Sequence, residues 1–105
     1  MIRVRFFYPN RAGSRFDAEY YINVHMPLAI RLLGPTLKHV SAEIGISGAM
    51  PNQPPPNAAM CAFDFETVQA FTDAVMPHYR ELQADIPNYT DIEPVVQISE
   101  IRIEQ

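Results

Sequence analysis

The stretch FDAEYYINVHMPLAIRLLGP, residues 16–35, decides how the rest of the chain is read. It opens on Asp17, whose carboxylate suits a helix N-cap because it accepts from the free N–H groups of the first turn. Phe16 and Tyr21 fall at the N′ and N4 positions of a hydrophobic staple. Gly34 and Pro35 end the segment, glycine by permitting a left-handed cap and proline by refusing another helical turn. At helical spacing Ala18, Tyr21, Ile22, His25, Leu28, Ala29 and Leu32 share one stripe. The segment therefore reads as a helix over about 17–33, with His25 inside its apolar face. Pro27 lacks an N–H, so it frees the carbonyl of Asn23 and disfavours a straight helix beside His25.

The flanks of this helix alternate with the period of a strand. In MIRVRFFY (1–8), Ile2, Val4 and Phe6 face one way and Arg3 and Arg5 the other. LKHVSAEIGIS (37–47) is the second strand, with Val40, Ala42, Ile44 and Ile46 on one face. GAMPNQPPPN (48–57) has prolines at 51, 54, 55 and 56 and reads as a long, stiff hairpin loop. AAMCAFDFE (58–66) is the third strand, with Cys61, Phe63 and Phe65 on one face. A second helix is expected from the cap Thr67 through VQAFTDAVMPHYRELQAD (68–85), its stripe being Val68, Phe71, Val75, His78 and Leu82. Pro77 either continues it or starts a new turn there. IPNYTDIEP (86–94) is an irregular connector, and VVQISEIRIE (95–104) a fourth strand.

The order βαββαβ is that of an α+β, ferredoxin-like fold: a four-stranded antiparallel sheet with both helices on one face. The expectation is a single domain over residues 1–105. The other sheet face carries Arg3, Arg5 and Phe7 and is not cleanly polar, which leads to a homodimer that stacks sheet on sheet.

Composition narrows the function. The 105 residues carry a net charge of −4 and a single lysine, Lys38, so phosphate neutralisation has no cation cluster to work with. Neither nucleic acid nor an anionic membrane surface is an expected partner. No segment has the apolar length of a membrane span, MIRVRFFYPN lacks a signal-peptide core, and Cys61 is the only cysteine. The expectation is a soluble cytoplasmic protein. His25, His39, His78 and Cys61 lack metal-ligand spacing, and no glycine-rich phosphate loop or dinucleotide motif is present, so neither metal nor cofactor is expected.

His25 is the first candidate for chemistry. A histidine in an apolar stripe beside a proline kink can be a general acid or base in a small pocket. It can equally be a core histidine satisfied by a neighbour. Tyr21, one turn earlier, could donate to an oxyanion. His78 stands beside its own Met-Pro step, and Asn88 and Tyr89 lie in the connector that could cap a pocket mouth.

In sequence order, VRFFYPN, RFDAEYYINVHMPLAIRLLGP, FDFETVQAF and MPHYRELQADIPNYTDIEPVVQISE resemble the EthD-like family. That family is named for a protein encoded alongside an ether-degrading monooxygenase system. The resemblance implies a dimeric α+β barrel that binds a small hydrophobic or aromatic metabolite between sheet and helices. It maps Tyr20, Tyr21, His25 and Pro27 onto the family's first helix block, and Asn88 and Tyr89 onto its C-terminal block. Four readings stay open: cofactor-free acid–base catalysis by His25 and Tyr21, a ligand-binding accessory or partner of an oxygenase system, a packing histidine, and, as the family label implies, a reductase using flavin or a nicotinamide cofactor. What separates them is whether a cavity touches the His25 ring.

Overall fold

A computed structural model describes all 105 residues. Strands β1 (Ile2–Pro9), β2 (His39–Ile44), β3 (Asn57–Phe65) and β4 (Val95–Glu100) form one antiparallel sheet in the order β2-β3-β1-β4. The long strands β1 and β3 are central, with Val4 opposite Phe63 and Phe6 opposite Cys61. The helical layer comprises α1 (Ala18–Tyr20), a π-helical turn (Tyr21–His25), α2 (Met26–Leu33), α3 (Val68–Val75) and α4 (Tyr79–Asp85). Short 3-10 turns follow at Gly34–Thr36, Met76–His78 and Ile86–Asn88. No helix is long and apolar enough to cross a membrane.

The core lies between this layer and one sheet face. Tyr8, Ala59, Cys61, Phe63 and Phe65 meet Tyr21, Met26, Ala29 and Leu33, with Phe71 and Leu82 packed against them. Both expected caps form: Tyr20 N–H donates to Asp17 at 3.1 Å and Ala70 N–H to Thr67 at 3.0 Å. The Phe16 and Tyr21 rings of the staple stand 5.0 Å apart. Gly34 closes α2 at φ +76°, a conformation that only glycine adopts without strain.

Helix one departs from a regular 3.6-residue period. Met26 N–H bonds back to the Tyr21 carbonyl, five residues earlier. This wide turn precedes Pro27 and absorbs the irregularity that the proline demands. It also rotates everything after it. Met26 and Leu33 are buried, Leu28 and Leu32 are half-exposed, and Ile22 is 39% exposed. The expected stripe is corrected accordingly: Tyr21, His25 and Ala29 stay inside, but Met26 and Leu33 replace Ile22, Leu28 and Leu32.

Three further boundaries differ from expectation. β2 stops at Ile44, and Ile46 is 92% exposed. At Gly45 the chain passes so close to Asn57 that a Cβ would collide with its carbonyl oxygen, and the proline loop begins there. The second helix is broken by the 3-10 turn at Met76–His78, where Pro77 takes an early-turn position. β4 ends at Glu100, leaving Ile103 exposed.

The opposite sheet face is held by charge. Arg3, directly across from Asp64, grips both its carboxylate oxygens at 2.7 and 2.9 Å, and also reaches Glu104. The Asp64 side chain is nearly buried by this fork.

Candidate functional site

His25 is the last residue of the π turn and points into the layer between helices and sheet, 7% exposed. Tyr21 lies behind it, the two rings nearly parallel with centroids 6.0 Å apart. The Tyr89 ring packs closer, at 4.6 Å. These faces fix the imidazole plane.

Its Nδ1 stands 2.9 Å from Asp85 Oδ2. Asp85 is the last residue of α4. The Ile86–Asn88 turn folds Asn88 back so that its amide donates to Asp85 Oδ1 at 3.0 Å. The Tyr20 hydroxyl donates to the same oxygen at 2.6 Å. The connector is stitched in turn to the start of helix one. Asp17 N–H donates to the Tyr89 carbonyl at 2.7 Å, Thr90 Oγ1 to the Arg15 carbonyl at 2.7 Å, and Arg15 to the Pro87 carbonyl at 2.9 Å. These bonds hold the end of α4 against the π turn.

The electrostatics follow from these partners. Burial would raise the Asp85 pKa, but hydrogen bonds from Tyr20, Asn88 and His25 outweigh it and hold the carboxyl below its ordinary value. Burial lowers the His25 pKa, and the Asp85 carboxylate pulls only partly the other way. At neutral pH the pair is thus a carboxylate and a neutral imidazole. A carboxylate only accepts, so the imidazole proton sits on Nδ1 and Nε2 keeps its lone pair.

Beside this pair lies a cavity of about 340 Å³. His25 is part of its wall, with Phe6, Tyr8, Ala29, Cys61 and Phe63 among the other residues. Thirteen of the sixteen lining residues are hydrophobic, and none is lysine, arginine or a carboxylate. Thr72 and Gln83 add polar atoms from α3 and α4. Met76, Tyr79 and Val96, which are 61%, 51% and 49% exposed, mark the mouth between the Met76–His78 turn and β4. The proline break in the second helix thus forms one lip.

The residues singled out in the sequence fall into distinct places. His25 lines the cavity. Tyr21 and Tyr89 are fully buried behind it, and the Tyr89 hydroxyl pairs with that of Tyr8 at 2.7 Å. Tyr20 and Asn88 hold Asp85 rather than the cavity. His78 is half-buried and outside the wall. His39 has a side chain 66% exposed, on the other sheet face beside Asp64. Sequence reasoning missed Asp85, sixty positions from His25. The only signal was its place at the head of the connector that carries Asn88 and Tyr89. It also missed Tyr8, which reads as a strand-end residue, and the polar wall residues Thr72 and Gln83.

The comparisons with known proteins agree with this architecture. The EthD domain profile matches residues 14–93. The crystal structure of an EthD-like protein from Ralstonia eutropha JMP134 is 41% identical, with a TM-score of 0.94 over 99% of this chain and 94% of that one. An EthD family protein from Bacillus halodurans C-125 is 17% identical, with a TM-score of 0.67 over 96% and 98%. HapK from Hahella chejuensis is 13% identical, with a TM-score of 0.57 over 100% and 97%. The last two show likeness of fold alone. No curated protein matches the chain.

Proposed function

The chain belongs to the EthD family, and from that premise we propose that it binds a small, uncharged, largely apolar metabolite in the cavity and moves a proton on it with His25. One observation carries the reading: the imidazole lines an apolar cavity while Asp85 holds its Nδ1. A buried neutral histidine with a fixed tautomer is a base poised for use near neutral pH. A histidine kept only for packing would not need a wall position beside an open cavity of this size.

The cavity suggests the ligand. At the ~30 Å³ that one liquid water occupies, it holds roughly eleven non-hydrogen atoms, a molecule of one or two small rings. With no cation in the wall, a carboxylate or phosphate would be desolvated without a partner. The reaction class this supports is proton abstraction from a weakly acidic C–H or O–H, as in an isomerase or cyclase. Proton exchange on β-tetralone, followed by NMR in heavy water, tests it. Catalysed exchange is expected from the native protein and not from His25→Gln. Equal exchange by both would sink the catalytic reading, and binding without any exchange would favour an accessory ligand-binding role.

We further propose that the working form is a cytoplasmic homodimer closed over the Arg3–Asp64 face, where Phe7 and Met60 lie half-buried. Light scattering should give twice the chain mass, and Phe7→Asp should halve it.

A further inference from the structure

Three tyrosine rings meet under β1. Tyr8 and Tyr21 are 5.5 Å apart, Tyr21 and Tyr89 5.2 Å, and Tyr8 and Tyr89 5.9 Å. All three are at most 2% exposed. Their hydroxyls carry three hydrogens. One is used in the Tyr8–Tyr89 hydrogen bond of 2.7 Å. The Tyr21 hydroxyl has no hydrogen-bond partner of good geometry, and the group beside it is the Cys61 thiol, a weak acceptor. Two hydrogens are therefore unspent, one on Tyr21 and one on the Tyr8–Tyr89 pair. Buried hydroxyls are normally paired, and an orphan signals an absent partner.

The spare hydrogens fit a partner that accepts. The approach to the cluster is also defined. Tyr8 and Cys61 form part of the cavity wall, on the same wall as His25. We infer that the Tyr8–Tyr21–Tyr89 hydroxyl cluster is a subsite for an acceptor oxygen of the ligand, a carbonyl that becomes an enolate or phenolate when His25 takes the proton. Burial holds all three phenols far above their ordinary pKa, so they stay protonated and donate throughout the working range. Tyr8 lines the cavity, and Tyr21 and Tyr89 pack directly behind it. Neutral donors at this wall stabilise charge as it develops on the ligand oxygen, and a dry site makes that stabilisation stronger. The ligand class is thus narrowed to enolisable ketones, lactones and related carbonyl compounds. The inference rests on the ligand cavity proposed above, but not on the proton transfer.

The test compares β-tetralone with tetralin, which has the same rings and no oxygen. The ketone oxygen only accepts, and the unprotonated Nε2 of His25 cannot donate to it. Thr72 and Gln83 also line the cavity, so the part of the ketone preference that the tyrosine variants remove is what reports on the hydroxyls. Calorimetric titration should show β-tetralone bound about three- to tenfold more tightly than tetralin, the worth of one neutral hydrogen bond. Tyr21→Phe and Tyr8→Phe should each shrink that ratio while leaving tetralin affinity unchanged. The infrared carbonyl band of bound β-tetralone should shift to lower frequency in the native protein and relax in Tyr21→Phe. The ligand-free Tm of Tyr21→Phe should stay level or rise, because the variant removes an unpaired buried hydroxyl.

A ratio unchanged in both variants overturns the subsite. So does a Tm loss in Tyr21→Phe, which would mean that the hydroxyl is already paired. His25→Phe, which has no donor, should keep the ratio while losing exchange, so a failure of proton transfer alone leaves the subsite standing. No binding of either compound overturns both proposals.

Discussion

Nδ1 of His25 lies 2.9 Å from Oδ2 of Asp85, joining the first helical segment to the end of α4 across a gap of sixty residues. The carboxylate accepts the hydrogen bond of Nδ1–H and leaves the other nitrogen bare. Nothing in the wall of the cavity competes for that role, because no other titratable base lines it.

The tautomer of His25 should therefore depend on Asp85. In Asp85→Asn the amide can donate to Nδ1, which moves the proton to Nε2. Nitrogen-detected NMR of the free protein should show an unprotonated Nε2 in the native chain and the reverse in the variant. Proton-transfer activity should fall about 10²- to 10⁴-fold, with the fold retained. An unchanged tautomer would refute the assignment.

Acid should destabilise the fold in two stages. The native His25 pKa lies below its ordinary 6.5, chiefly through burial, so the unfolded chain binds that proton first. Stability is full above pH 6.5 and declines as pH falls from there towards the lower native value. Asp85, held below its ordinary 3.8 by the hydrogen bonds that offset its burial, acts with the same sign lower down: its contribution is lost as pH falls through 3.8 towards its native value. Urea midpoints measured across this range should slope less in His25→Gln within the upper window. Parallel curves would contradict the buried neutral imidazole.

The π turn predicts which side chains matter. Met26→Ala should cost about 2–5 kcal/mol, as deletion of a buried side chain does. Ile22→Ser should change stability by no more than about 0.5 kcal/mol, as exposed positions do. A regular helix would reverse the order, so chemical denaturation of the two variants distinguishes the registers directly.

Cys61 should be inert while the protein is folded. Burial raises its thiol pKa to about 11. At pH 8 only about a thousandth of it is thiolate, and the residue is only 4% exposed. Labelling by a soluble disulfide reagent should be slow in the native state and immediate in denaturant. β-Tetralone should slow it further, because the thiol forms part of the cavity wall. Rapid native labelling would mean that the cavity opens readily on that side.

Much of the architecture was legible in the chain itself. Alternation in MIRVRFFY, the cap at Asp17, the stop at Gly34-Pro35 and the cap at Thr67 are local signals, and local backbone physics obeys them. With βαββαβ in hand, chain connectivity leaves few sheet topologies, and the observed β2-β3-β1-β4 order is the ferredoxin-like one. His25 was legible as a candidate because a titratable ring in an apolar stripe is a local anomaly.

What surrounds His25 was not legible. The π turn depends on how Pro27 and the buried rings settle together, so a 3.6-residue period misplaced Ile22 and Met26. The partnership with Asp85 depends on the connector being stitched to residues 15–17, and no spacing along the chain encodes it. The meeting of Tyr8, Tyr21 and Tyr89 requires a strand, a helix turn and a loop to converge. Periodicity reports which face of an element is apolar. Only packing decides which apolar faces touch, which polar atoms among them find partners, and where a gap is left.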